Sequence, residues 1–188
     1  MRKLKLQVQM TIDGFVSDTN GGMDWLIHSW SEDLIEYVKK ITEPIDTILL
    51  GRNLAQGFIP YWTDVASNPD NPEFAAGKIF TETPKVVFTK TLTKSEWNNT
   101  VLAKGDLVTE VNILKNQNGK DIIAYGGGKF VSALIKENLI DELHLFINPS
   151  ILGNGMPIFS DVKVKQNYEL LSANQYACGI VVLTYKAK

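Results

Sequence analysis

The sequence predicts an α/β domain built on one mixed sheet, and three observations carry that expectation. Short runs of β-branched and other apolar residues recur along the chain. Helical apolar spacing separates several of them. One stretch also reads strand, glycine-rich turn, helix, strand without interruption, which is the pattern of a parallel βαβ unit with a right-handed crossover.

At the N-terminus Leu4, Leu6, Val8 and Met10 alternate with Lys5, Gln7 and Gln9, the signature of a strand with one buried face. Asp13-Gly14 supplies turn chemistry after it, and Asn20-Gly21-Gly22 marks a second loop. A helix is expected from about Glu32 to Lys40, with Ser31 as N-cap and Leu34, Ile35, Val38 and Ile41 as its apolar stripe. Pro44 ends it. Thr47–Leu50 reads as a central strand running into Gly51-Arg52-Asn53 and a short helix. Residues 60–77 hold three prolines and two Asn-Pro junctions, so a long loop is expected there. Lys85–Phe88 is a strand, and a further one is expected over 106–110. Asp121–Tyr125 is the strand of the βαβ unit, with its helix from Lys129 to about Glu137, Asn138 as C-cap, and Leu143, Leu145 and Ile147 in the returning strand. Gly179–Lys186 reads as a last strand that adds antiparallel pairing.

The 188 residues fit one domain over 1–188, and 44% hydrophobic with 21% charged residues is ordinary for a globular protein. With 19 basic against 21 acidic residues, nothing favours nucleic acid. No apolar run approaches the roughly 18–20 residues that span a bilayer, and the basic N-terminus lacks the apolar stretch of a signal peptide. Cys178 is the only cysteine, and His28 and His144 stand in no ligand pattern. The expectation is a cytoplasmic protein with no structural metal and a small-molecule substrate.

The chemistry concentrates at three strand-to-helix or strand-to-turn junctions. Gly126-Gly127-Gly128-Lys129-Phe130 opens a helix through glycines, leaving free N–H groups at its positive end. The dinucleotide fingerprint G-x-G-x-x-G fails because Val131 stands at its last glycine, and the P-loop fails at Ile123 and Phe130. A tight turn that needs glycine accounts for the same residues. Gly51-Arg52-Asn53 places a second helix start and a guanidinium beyond a strand, and Thr89-Lys90-Thr91 adds two hydroxyls and an ammonium beyond a third. Three such ends suit a ligand with several separated phosphates.

In this order the motifs resemble the dihydrofolate reductase-like superfamily, and most closely the reductase domain of bacterial riboflavin biosynthesis. Met10-Thr11-Ile12-Asp13-Gly14 is similar to its M-S-L-D-G, Met23-Asp24-Trp25 to M-P-W, Leu50-Gly51-Arg52 to M-G-R, and Phe88-Thr89-Lys90-Thr91-Leu92 to V-S-x-T-L. Gly126–Lys129 is similar to G-G-G-[RK], and Asp141-Glu142-Leu143 with Leu152–Phe159 to D-E-L … G-x-G-x-P-x-F. The resemblance implies a mostly parallel mixed sheet flanked by helices with C-terminal antiparallel strands, and a homodimer. It implies NADPH, with Gly126, Gly127, Gly128, Lys129 and Phe130 about the pyrophosphate. Gly51, Arg52, Asn53, Thr89, Lys90 and Thr91 would lie toward the 2′-phosphate, and Met10 and Ile12 beside the nicotinamide. Asp13, Asp24 and Trp25 would lie on the catalytic, substrate side, and residues 60–77 would cover the substrate.

The resemblance further implies an NADPH-dependent reductase of a small heterocycle, like 5-amino-6-(5-phosphoribosylamino)uracil reductase. A dihydrofolate or pterin reductase is disfavoured, because the position of its helix acid falls on Trp30. No deaminase motif, H-x-E or P-C-x-x-C, occurs. A non-catalytic NADPH-binding module is the alternative from another class.

Overall fold

The computed structural model describes residues 1–126 and 128–188. In chain order its elements are β1 (Leu4–Thr11), α1 (Glu32–Thr42), β2 (Ile45–Gly51), α2 (Arg52–Ser67), α3 (Phe74–Glu82), β3 (Lys85–Phe88), β4 (Thr100–Ala103), α4 (Leu107–Asn116), β5 (Asp121–Tyr125), α5 (Gly128–Lys136), β6 (Glu142–Asn148), β7 (Tyr168–Gln175) and β8 (Val181–Ala187). The strands form one sheet in the order β4-β3-β2-β5-β1-β6-β8-β7. The first six in that order are mutually parallel, and β8 and β7 close the sheet antiparallel. The expected fold class is the observed one. β5, α5 and β6 form the expected crossover, with β1 lying between the two strands.

The central place of β1 corrects its reading as a strand with one wet face. Leu4, Leu6, Val8 and Met10 enter the core beneath α4 and α5, with Val111, Val131, Leu134 and Ile135. On the other face Lys5 and Gln7 are also buried, because a strand with helices on both sides has no solvent face. That second face is roofed by two separate helix layers. α1 covers β6 and β8 through Leu34, Ile41, Phe146 and Val182. α2 and α3 cover β2, β3 and β5 through Ala55, Ile59, Phe80, Val87 and Ile123. Lys5, Gln7 and Gln9 run along the seam between them.

Two further expectations are overturned. Residues 60–77 are not a long loop: α2 runs on to Ser67, and α3 begins at Phe74. Pro60 sits inside α2 on an exposed turn, and burial of Ile59, Val65 and the aromatic set Phe58, Trp62, Phe80 and Tyr125 outweighs the lost backbone bond. Gly77 admits the backbone of Ala66, where a Cβ would stand 2.9 Å away. This segment belongs to the β2–β3 crossover, and Trp62 packs within it against Phe58 and Phe80. Over 106–110 the chain is helical, not extended. Asp106 accepts from the Thr109 amide at 2.9 Å and starts α4, and Leu107, Val111 and Leu114 face the core. The strand lies earlier, at Thr100–Ala103. Ser31 occupies the N-cap position of α1, but its hydroxyl serves Asp33 and the Cys178 amide instead of the helix. Asn138 takes the left-handed conformation (φ 51°) expected of a helix-ending residue. Among the described residues no helix is long and apolar enough to cross a membrane, and no group of side chains is placed to hold a metal.

Two buried charges lock the frame. Lys85, among the largest fully buried side chains, donates from Nζ to the carbonyls of Phe80 (2.8 Å), Thr81 (3.1 Å) and Thr83 (2.7 Å), closing the C-terminus of α3. Glu142 lies with His144 Nε2 3.7 Å from one carboxylate oxygen and Lys3 Nζ 2.7 Å from the other. His144 first, then Lys3 and Lys5, hold its carboxyl down to about 2. Because that value lies below the unfolded one, the contribution is complete above about pH 4.5 and is lost as pH falls toward 2. Two outcomes are expected. Lys85→Met should lower unfolding free energy by about 2–4 kcal/mol in urea melts, since three carbonyls lose their donor. Glu142→Gln should flatten the stability profile between pH 4.5 and 2, removing up to about 3 kcal/mol of its slope.

Candidate active site

Parallel pairing brings the carboxyl ends of β3, β2, β5 and β1 to one edge in that order, spaced about 4.8 Å apart. Along that row stand Thr89, then Gly51-Arg52-Asn53, then Gly126 with Gly128-Lys129, then Met10-Thr11-Ile12. Helices α2 and α5 both begin there, on opposite faces of the sheet, so their positive ends meet at one edge. Arg52 is half-buried with Nη2 2.8 Å from Asn53 Oδ1, and Lys129 is exposed. Gly127 lies outside the described residues.

The glycines of the row have distinct physical reasons. A Cβ on Gly51 would fall 2.7 Å from Phe130 Cβ, so its absence lets α5 press onto the end of β2. Phe130 thus packs, its ring 5.0 Å from that of Phe88. A Cβ on Gly126 would meet Val8 at 3.2 Å, and one on Gly128 would collide with the thioether of Met156. Beyond β3 the Thr89 hydroxyl is buried and accepts from the amides of Thr91 and Leu92, both at 3.1 Å. Lys90 turns away: its ammonium donates to the carbonyls of Lys104 (3.0 Å) and Gly105 (2.8 Å). Thr91 is exposed.

The loops after β1 and β6 are clasped together beside this row. Val16 N donates to Met156 O, Met156 N donates to Ser17 O, and Phe15 bridges Pro157. Asp13 completes the clasp, accepting from Thr11 Oγ1 (2.6 Å), Leu152 N (3.2 Å) and Gly153 N (2.7 Å). The Thr11 hydroxyl first, then those amides, hold its carboxyl below the ordinary range. Asp13 thus ties the loops after β1 and β6 together. Ile12 is exposed at the tip of the turn, and Met10 is buried beneath it.

On the face between α1 and α2, one relay of hydrogen bonds has its polarity set by a backbone amide. Ile27 N can only donate, and it donates to Asn148 Oδ1 at 3.0 Å. Asn148 Nδ2 must then be the donor to Gln9 Oε1, at 2.8 Å. Gln9 Nε2 is left as a fixed, buried donor without a partner. Trp25, held nearby where its carbonyl accepts from Ser150 Oγ, also has a buried indole N–H without a partner. One step back along β1, Gln7 Oε1 is a buried acceptor in the same condition, between Tyr125 and His144 in register. His144 Nδ1 meets Tyr37 Oη at 2.7 Å, and that hydroxyl reaches Thr184 at 2.9 Å. Trp30 donates to Ile27 O and stacks on Phe146, and Asp33 is exposed at the start of α1. Asp24 is exposed on the loop before Trp25.

The structure thus gathers Met10, Ile12, Gly51, Arg52, Asn53, Thr89, Gly126, Gly128 and Lys129 along one edge. It places Trp25 at the end of the seam and sends Lys90 and Phe130 to other tasks. Gln7, Gln9 and Asn148 escape a sequence reading because glutamines alternating with apolar residues look like a solvent face. The signal was present in the length of apolar runs on the neighbouring strands, which makes β1 central.

The class of protein follows: an α/β domain of the dihydrofolate reductase-like kind, with two helix starts along one edge of parallel strand ends. Residues 2–182 match the RibD C-terminal domain, and the chain belongs to that family. Among relatives, YyaP of Bacillus subtilis is 32% identical over 98% of this chain and 94% of its own length. YwjB of the same organism is 25% identical over 95% of each. Among solved structures, a putative riboflavin biosynthesis protein from Shewanella sp. PV-4 superposes with a TM-score of 0.75 at 24% identity, over 100% of this chain and 99% of that one. The diaminohydroxyphosphoribosylaminopyrimidine deaminase/5-amino-6-(5-phosphoribosylamino)uracil reductase of Thermotoga maritima gives 0.68 at 20% identity, over 100% of this chain and 57% of that one.

The clasp yields a direct test. Asp13→Ala should raise amide hydrogen exchange at Leu152 and Gly153 by about tenfold or more, with exchange in the middle of β1 unchanged.

Proposed function

We propose that this chain is an NADPH-dependent reductase of a small heterocyclic substrate. The observation that carries the reading is the row of phosphate-compatible groups on three adjacent strand ends, in a chain of the RibD C-terminal domain family. The residues fit a dinucleotide on structural grounds. Two helix starts converge there and point N–H groups at one edge. Bound NADPH would supply a hydride from nicotinamide C4.

The chain's own contribution is alignment. Gly128 and the first turn of α5 offer N–H groups to the pyrophosphate, with Lys129 beside them. Arg52, at the start of α2, presents a planar cation toward the 2′-phosphate, assisted by Asn53. Thr89 keeps its hydroxyl hydrogen available while its oxygen holds the turn of residues 89–92. The backbone from Met10 to Ile12 borders the nicotinamide and places Gln9, one residue earlier, beneath the reacting ring. The clasped loops around Asp13 and Met156 shield that ring from water, as hydride transfer requires.

Titration of NADPH and NADH by quenching of protein fluorescence tests the assignment. Arg52→Ala should weaken NADPH by about tenfold or more, the worth of a charge-assisted hydrogen bond, and should leave NADH within twofold. Equal losses for both cofactors would remove the 2′-phosphate role. Absence of binding by the unaltered protein would remove the reductase reading itself.

A further inference from the structure

One strap of chain, residues 149–167, touches α5 at both of its ends. Gln166 Nε2 donates to the Ile135 carbonyl at 2.7 Å, in the last turn of the helix. The Tyr168 hydroxyl donates to Gln166 Oε1 at 2.9 Å and holds that amide in place. At the other end Met156 lies against Gly128, the first residue of α5. Between these two grips Ile158 is fully buried in the main core.

Met156 is fixed from two directions. Its backbone pairs with the loop after β1, for Val16 N donates to Met156 O at 3.0 Å and Met156 N donates to Ser17 O at 2.9 Å. Gly155 permits that approach, because a Cβ there would stand 3.0 Å from Phe15 Cβ and closer still to the Ser17 carbonyl. The side chain of Met156 reaches α5. A Cβ on Gly128 would lie 2.6 Å from Met156 Cγ and overlap the sulfur. Gly128 is already helical, a conformation open to any residue, so the backbone does not demand glycine there. The thioether does. Sulfur is a weak acceptor and the side chain is adaptable, so the contact supports the first turn of α5 without competing for its N–H groups.

We propose that Met156 is a positioning residue for the cofactor. It sets the distance between the loop that borders the nicotinamide and the helix start that holds the pyrophosphate, because it is attached to both. Gly128 is glycine in order to receive Met156, and not in order to admit phosphate. The inference rests on the reductase reading and assigns the alignment of that site to a residue of the strap, outside the row of strand ends.

Titration of NADPH by quenching of protein fluorescence, on variants whose melting midpoints are measured alongside, tests the assignment. Met156→Ala should weaken NADPH by about tenfold, the worth of one charge-assisted hydrogen bond put out of line. Met156→Leu keeps the volume and should stay within about threefold of the unaltered protein. Gly128→Ala should weaken NADPH by a factor similar to Met156→Ala, because its methyl drives the thioether away. In Gly128→Ala/Met156→Ala the new methyl fills part of the space the thioether leaves, so the double variant should bind no worse than either single one. Unchanged affinity in Met156→Ala overturns the inference, as does equal weakening by Met156→Leu. Losses that multiply in the double variant also overturn it, since they would set Gly128 against phosphate instead of Met156. If Gly128→Ala does not fold, the Ala and Leu variants of Met156 decide alone. If the unaltered protein binds no NADPH, the reductase reading falls and this inference with it; every other failure strikes the inference and leaves that reading standing.

Discussion

Burying the polar face of β1 is the constraint on which the rest of the molecule depends. A strand with parallel neighbours on both sides and helices on both faces offers its side chains no water. Lys5, Gln7 and Gln9 must therefore be answered by protein groups or by a ligand. The chain meets this requirement in sequence along the strand. Lys5 is paired to Asp121, and Gln7 lies beside His144, whose ring is held by Tyr37 of α1. Gln9 is gripped by Asn148. Toward the carboxyl end the protein's own answers run out, and unpaired groups accumulate where β1 meets the ligand edge.

The same geometry explains how two ligands could be served by one sheet. Helices α1, α2 and α3 lie on one face, α4 and α5 on the other. Glycines at the ends of β2 and β5 bring α5 in close, so helix starts converge on the β2–β5–β1 edge while the polar seam opens beside it.

Much of this was legible in the residues. β2, β3, β5, β6 and α5 announce themselves by apolar period, and the glycine junctions mark the ligand edge by local chemistry alone. The failures have identifiable causes. Residues 60–77 look like a loop because proline and Asn-Pro pairs are local signals, whereas the helix is held by Trp62 and Phe58 against Phe80 and Tyr125 across the crossover. Residues 106–110 look extended until Asp106 is seen as a cap. Asp13 reads as a substrate-side acid, and its tie to the Leu152 and Gly153 amides is invisible in the sequence because those partners lie about 140 residues away. The Gln9 donor could not be found at all without knowing that Ile27 supplies the amide that orients Asn148.

Gly51 has a mechanical consequence. Because it has no side chain, the first turn of α5 rests through Phe130 directly on the strand end from which α2 departs. The two helix starts are in hard contact, and interiors packed at that density transmit displacement instead of absorbing it. A tug on one start must move the other. The two ends of this edge then behave as a single jaw, in which a displacement at one helix start is a displacement at both.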